Sequence, residues 1–282
     1  VGNDYLSNDI LYLNKGGKFE NVIDQMIKHQ SRFSMGNDIA DINNDGEVDI
    51  ITLDMLPEDN LRKKTVMGGN GYINYINDRR YGYTHQYTRN MLQINNGDGT
   101  FSEIGMLAGV YQTEWSWSPL FVDLDNDGYR DLLITNGFPK DVTDKDFVNF
   151  RQNFGSYTDQ KTLLSEAPSV KVKNYIYRNN GDLTFKDMSE AWGIDNVSFS
   201  NGAAFADLDN DGDLDYIVNN INDPASIYEN TLYTPSKNLD TLNHYLELTL
   251  EGGPGNSLGL GAKVWIKYGD NQLQYHDHSI YR

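Results

Sequence analysis

Apolar and polar residues alternate in three short stretches of this chain, and a continuous apolar run follows each of three acidic segments. The alternating stretches are Ile10-Leu11-Tyr12-Leu13, Met91-Leu92-Gln93-Ile94 and Tyr175-Ile176-Tyr177-Arg178. Successive side chains of a strand point to opposite faces, so alternation predicts half-buried strands. Each stretch runs into a turn signal: Asn14-Lys15-Gly16-Gly17-Lys18-Phe19, Asn95-Asn96-Gly97-Asp98-Gly99-Thr100-Phe101 and Asn179-Asn180-Gly181-Asp182-Leu183-Thr184-Phe185. Asn-Gly and Gly-Asp-Gly supply the positive φ that tight hairpins need. The continuous runs are Asp49-Ile50-Ile51-Thr52-Leu53, Asp131-Leu132-Leu133-Ile134-Thr135 and Asp215-Tyr216-Ile217-Val218-Asn219. Runs this short, apolar and rich in β-branched residues read as strands buried on both faces.

These signals recur at a fixed period. The acidic segments start at Asp41, Asp123 and Asp207, 82 and 84 residues apart, and each lies 22 residues after the turn phenylalanine. A serine (Ser34, Ser116, Ser200) stands seven residues before each first Asp, and a small residue (Gly36, Ser118, Gly202) five before it. Each unit therefore reads strand, acidic loop, strand, connection, strand, tight turn, strand. Four short antiparallel strands repeated at one spacing predict an all-β fold, a partial or complete β-propeller of four-stranded blades. A β-sandwich with coincidental turns is the weaker alternative.

The acidic segments carry the chemistry. Oxygen-bearing side chains fall at loop positions 1, 3, 5 and 9, with glycine at position 6. The candidate ligands are Asp41, Asn43, Asp45, Glu47 and Asp49; Asp123, Asp125, Asp127, Tyr129 and Asp131; and Asp207, Asp209, Asp211, Asp213 and Asp215. A calcium ion takes six to eight oxygens, and glycine lets the chain turn back onto it. Position 7 varies (Glu47, Tyr129, Asp213), as expected of a residue that offers its backbone carbonyl. An EF-hand is excluded: it needs Glu at position 12 and flanking helices, and position 12 is Thr52, Ile134 and Val218 inside strand-like runs. A single such stretch would be an ordinary polar turn; three copies with the same oxygen positions predict about three calcium ions. The second and third loops carry carboxylates at all four of those positions, which repel one another without a cation.

The segments Ser200-Asn201-Gly202-Ala203-Ala204-Phe205-Ala206-Asp207 and Asp207–Asp215 resemble the FG-GAP repeat, also called the VCBS repeat, which integrin α-subunits use with calcium in the inter-strand loop. The resemblance spans about residues 1–235. The first copy departs from it, with Asp38-Ile39-Ala40 before the loop and Asn43 at position 3, which implies weaker binding there. Val1-Gly2-Asn3-Asp4 is similar to Ile134-Thr135-Asn136-Gly137 and Ile217-Val218-Asn219-Asn220, which lie just after the second and third loops, so the first blade is expected to lack its own loop. Gly259-Leu260-Gly261-Ala262-Lys263-Val264 is similar to the start of an ASPIC/UnbV domain. The implied organisation is 1–240 as repeat blades and 241–282 as the beginning of a small β domain. The resemblance also implies a cell-surface protein of the Bacteroidetes type, lipid-anchored at the outer membrane and accessory to a nutrient-uptake transporter complex.

Composition narrows the function. The net charge is −18, and three bound calcium ions would bring it only to −12, which argues against nucleic acid as a partner. With no cysteine there are no disulfides and no Cys-ligated zinc. Loops of this kind in extracellular modules bind calcium at roughly 10⁻⁴–10⁻³ M, so they would fill outside a cell. No nucleophile elbow, phosphate loop or dinucleotide fingerprint is present. The reading is a non-enzymatic binding or scaffold module for a glycan, a peptide or a surface protein; the alternative is a calcium-dependent polysaccharide lyase. Two insertions, about 57–90 and 138–174, lengthen the units, the second with helix-like stretches at 146–154 and 158–166. Tyr72, Tyr75, Arg79 and Arg80 in the first, with Trp115 and Trp117, form the candidate partner surface.

Overall fold

The computed structural model describes residues 1–5, 7–66, 71–233, 243–269 and 272–279. A hairpin of β1 (Tyr12–Lys15) and β2 (Lys18–Asn21) opens it, built on the Gly16-Gly17 turn. The first repeat forms a four-stranded antiparallel sheet of β4 (Asn37–Ala40), β5 (Asp49–Thr52), β7 (Met91–Asn95) and β8 (Phe101–Glu103). Beside it, β3 (His29–Ser31) runs parallel to β6 (His85–Tyr87). The second repeat forms a sheet of β9 (Ser116–Val122), β10 (Asp131–Asn136), β12 (Tyr175–Asn179) and β13 (Phe185–Asp187). A short pair, β11 (Val172–Lys173) and β14 (Val197–Ser198), flanks it. Among the described residues the third repeat has three strands, β15 (Ser200–Ala206), β16 (Asp215–Asn220) and β17 (Ser226–Tyr228). A hairpin of β18 (Lys263–Tyr268) and β19 (Gln272–Asp277) comes last.

The continuous apolar runs are explained by two separate cores. Leu132 and Ile134 of β10 join Ile51, Leu53, Leu92, Phe121, Tyr175 and Tyr177 between the first and second sheets. Leu133, the residue between them, joins Val122, Leu124, Ile176, Tyr216 and Val218 between the second and third. The second sheet is buried on both faces, so polar alternation is lost in β10. Close approach of the sheets also fixes Gly36: a Cβ there would lie 2.0 Å from the carbonyl oxygen of Trp117. Across the same seam the Phe121 backbone N–H donates to Asp38 Oδ2 at 2.7 Å.

The propeller expectation is corrected here. The sheets form an open row, first against second and second against third, and no ring closes among the described residues. On the far face of the third sheet Ile227 is 67 % exposed. Closure requires the last sheet to meet the first, and three sheets fall short of the four or more blades a ring needs. The fold is largely β-strand with open sheets. No helix among the described residues is long and apolar enough to cross a membrane. The outer-membrane assignment rested on the propeller resemblance and is dropped with it.

The insertions brace each other. Helices Lys145–Phe154 and Gln160–Glu166 fall where the second insertion was expected to be helical, and Asp144 and Asp159 cap them by accepting backbone N–H bonds in the first turn. Helices Asn60–Thr65 and Tyr72–Arg80 fill the first insertion. Arg62 pairs with Glu114 at 2.9 Å and with Asp141 at 2.5 Å, joining the two. His244-Tyr245-Leu246-Glu247-Leu248-Thr249-Leu250 also alternates as a half-buried strand would, yet it has no ladder partner among the described residues, and Tyr245, Leu246 and Leu248 are more than half exposed. The expected domain boundary at 240–241 lies outside the described residues.

Candidate metal centre

Each acidic loop joins the first two strands of its sheet, and one backbone design builds all three. Position 1 closes the turn: Asp41, Asp123 and Asp207 each accept the N–H of position 5 on one oxygen and of position 6 on the other, at 2.9–3.2 Å. Position 5 repeats this on a smaller scale, with Asp45, Asp127 and Asp211 accepting the N–H of position 7. Glycine at position 6 has φ of +91°, +92° and +98°, a left-handed region closed to most side chains.

Position 9 does more than the sequence suggests. Asp49, Asp131 and Asp215 are buried, and each ties two chain segments together. One oxygen accepts the N–H of loop position 2 (Ile42, Leu124, Leu208) and the other the N–H of an asparagine ending the third strand (Asn95) or following it (Asn230), or ending β12 (Asn179), all at 2.8–3.1 Å. These asparagines reach onward. Asn179 Nδ2 donates to the Ile42 carbonyl of the first loop, and Asn230 Nδ2 to the Leu124 carbonyl of the second, both at 2.8 Å.

Position 4 also went unread in the sequence. Asn44, Asn126 and Asn210 have φ of 60°, 52° and 60°, a conformation asparagine tolerates better than most residues. Asn44 Nδ2 donates to the Gly128 carbonyl at 2.9 Å, and Asn126 Nδ2 to the Gly212 carbonyl at 3.1 Å. The loops are thus bonded side by side in a row. The available signal was an asparagine at the same place in every copy.

Burial, and to a lesser degree neighbouring carboxylates, raises the loop acids. Asp131 is pushed up to about 8, Asp49 and Asp123 to about 7, and Asp213 to about 6; Asp41 and Asp127 move the same way. Such loops gain from a cation that neutralises the charge. The donor set tests whether one fits. In the third loop Asp207, Asp209 and Asp211 bring one carboxylate oxygen each within 4.8 Å of one another. Asp213 is buried beside them, and its Oδ1 has no hydrogen-bond partner. In the second loop Asp123, Asp125 and Asp131 converge in the same way. The first loop forms no such triple of carboxylates, because position 3 is Asn43 and its Nδ2 donates to Asp45. An all-oxygen, multiply charged donor set suits a hard divalent cation. Of the position-7 side chains, Glu47 is exposed and the Tyr129 ring packs on Gly181.

The second and third loops line a cavity of about 830 Å³ beneath the C-terminal segment. Arg130 enters it and bonds His276 Nδ1 at 2.8 Å, while His278 Nε2 meets the Leu258 carbonyl at 3.0 Å. Trp115 stacks on Trp117 at 6.1 Å and on Phe138 at 5.1 Å, and Trp117 meets Phe138 at 6.0 Å with the rings tilted. Tyr72, Arg79 and Arg80 are exposed on helix Tyr72–Arg80, and Tyr75 stacks on His85.

Fold and loops together define a tandem β-repeat chain whose strands are joined by acidic turns fit for divalent cations. Residues 81–134 and 164–218 match the FG-GAP-like repeat, a weak and partial likeness that covers less than half of the chain and takes in the second and third loops. The chain is also similar to Protein Ycf2 of Angiopteris evecta, 23 % identical over 145 residues, which is 46 % of this chain and 6 % of that protein. The chain therefore spans a small fraction of that relative's length. The match takes in a repeat rather than a catalytic motif, and the loop carboxylates accept backbone N–H bonds. The wider resemblance is corrected: two repeats are matched within open sheets, and an integrin-like propeller leading into an ASPIC/UnbV domain of a Bacteroidetes-type surface protein is not retained.

Proposed function

We propose that this chain is a calcium-stabilised binding module that works outside the cell or at its surface. The observation that carries the reading is the third loop. Five carboxylates share nine residues there, three converge within 4.8 Å, and a fourth keeps a buried oxygen without a partner. Calcium at the concentrations found outside cells would satisfy that oxygen and cancel the repulsion. The ligands we assign are Asp207, Asp209, Asp211, Asp213 and Asp215 in the third loop and Asp123, Asp125, Asp127, Tyr129 (through its carbonyl) and Asp131 in the second. The first loop, with Asn43, Asp45 and Glu47 between Asp41 and Asp49, is the weakest site. The ions fix the row of loops, and the row in turn presents the cavity and the Trp115–Trp117–Phe138 cluster to a glycan, a peptide or a protein partner. We also propose that the repeats end near residue 240 and that the C-terminal hairpin begins a second unit.

Melting the protein in excess calcium and in calcium-stripped buffer tests this. A ligand about 100-fold above its Kd adds about 2.7 kcal/mol per site, so a rise of several degrees in melting temperature is expected. Identical melting in both buffers would overturn the calcium reading. Glycan and peptide arrays probed in the same two buffers should give binding in calcium only.

A further inference from the structure

The three loops share a backbone but neutralise their charge differently. In the first, the Asn43 amide donates to Asp45 Oδ2 at 2.9 Å. In the third, no ion pair is made by Asp207, Asp209 or Asp211 among the described residues. In the second, Arg178 spans two acids: its Nε donates to Asp125 Oδ2 at 2.5 Å and its Nη2 to Asp127 Oδ2 at 2.7 Å. The other oxygen of each acid is already used inside the loop, by the N–H of Asp127 and of Tyr129. The guanidinium therefore holds one oxygen of each of two candidate ligands, those at positions 3 and 5. Arg178 stands one residue before Asn179. The residues one before Asn95 and Asn230 are Ile94 and Glu229, so the arginine is particular to the second repeat.

We infer that Arg178 is a built-in counter-cation for the second loop, holding it in shape without a divalent ion and competing with such an ion for Asp125 and Asp127. That the competitor is calcium rests on the function proposed above. A guanidinium stays charged at every relevant pH, and its fork suits two carboxylates at once. The Arg178 side chain is 39 % exposed, so it can swing out into solvent when an ion arrives. The second loop is then ordered at low calcium, and the third loop is the one that responds to calcium first.

The test uses the whole chain, as wild type and as Arg178→Gln, Arg178→Lys and the double variant Arg178→Gln with Asp125→Asn. Calcium titration by calorimetry and melting in calcium-stripped buffer are measured for each. Arg178→Gln should melt lower without calcium, recover in calcium, and bind at the second loop roughly two- to fivefold tighter, the scale of a part-exposed charge pair. Arg178→Lys, which keeps the charge but not the fork, should fall between wild type and Arg178→Gln, and the double variant should regain part of the metal-free stability because one of the two carboxylates is neutral. If Arg178→Gln loses equal stability in both buffers, or if removing Asp125's charge restores nothing, the arginine merely packs and the inference falls. A wild type that binds no calcium would sink the calcium reading alone. The melting temperatures of Arg178→Gln and of the double variant in stripped buffer would still decide the role of Arg178.

Discussion

A carboxylate in these loops is held by backbone N–H groups before any ion is considered, and this sets its response to pH. Folded Asp49, Asp123 and Asp131 keep their protons up to about 7, 7 and 8, whereas an unfolded Asp loses its proton near ~3.9. Between those values the folded chain binds more protons than the unfolded chain, so metal-free stability falls as pH rises through the window. The melting temperature in calcium-stripped buffer should therefore drop between about pH 5 and pH 8, while calcium, which replaces the protons, flattens the curve. A metal-free melting temperature that rises over that range would contradict this. At this scale the sequence was informative where position dictates chemistry. Oxygen-bearing side chains at positions 1, 3, 5 and 9 and Gly at 6 were legible because each copy repeats them. The left-handed Asn126 and the ties made by Asn179 were not, because their partners lie in neighbouring loops far along the chain. Arg178 was hidden for the same reason: it reads as the polar end of an alternating strand until β12 is laid beside the second loop.

The strands were legible from pattern, and their burial from the loss of pattern. Leu132, Leu133 and Ile134 are all fully buried because neighbouring residues of β10 face opposite cores. The two cores can be perturbed one at a time. Leu133→Ala opens a void between the second and third sheets and should cost about 3 kcal/mol, within roughly 2–5 for buried leucines. Chemical denaturation measures the loss, and hydrogen exchange should accelerate in Asp215–Asn220 more than in Asp49–Thr52. Equal acceleration in both strands would mean that the two cores are not independent. The hairpin turns were equally legible, since glycine and asparagine encode them locally. The stretch 244–250 shows where pattern alone fails: its alternation is strand-like, yet a strand needs a ladder partner, and none of the described residues pairs with it.

At the scale of the molecule the repeat period was in the sequence and the closure was not. Spacings of 82 and 84 residues fix how many units there are, because each unit carries its own loop and turns. Whether a row of sheets closes depends on how the last meets the first, and no local residue encodes that contact. Here the row is open, and what holds it is shared cores on one side and bonded loops on the other. The acidic loops, and the third above all, are where calcium is proposed to act on the whole row. The most direct measurement is a calcium titration of the wild type and of Asp211→Ala, with melting of both in each buffer. The prediction is wild-type binding at roughly 10⁻⁴–10⁻³ M, loss of one site in Asp211→Ala, and a lower melting temperature for the variant in calcium but not in stripped buffer. Unchanged calcium binding by the variant, or the same destabilisation in both buffers, would contradict it.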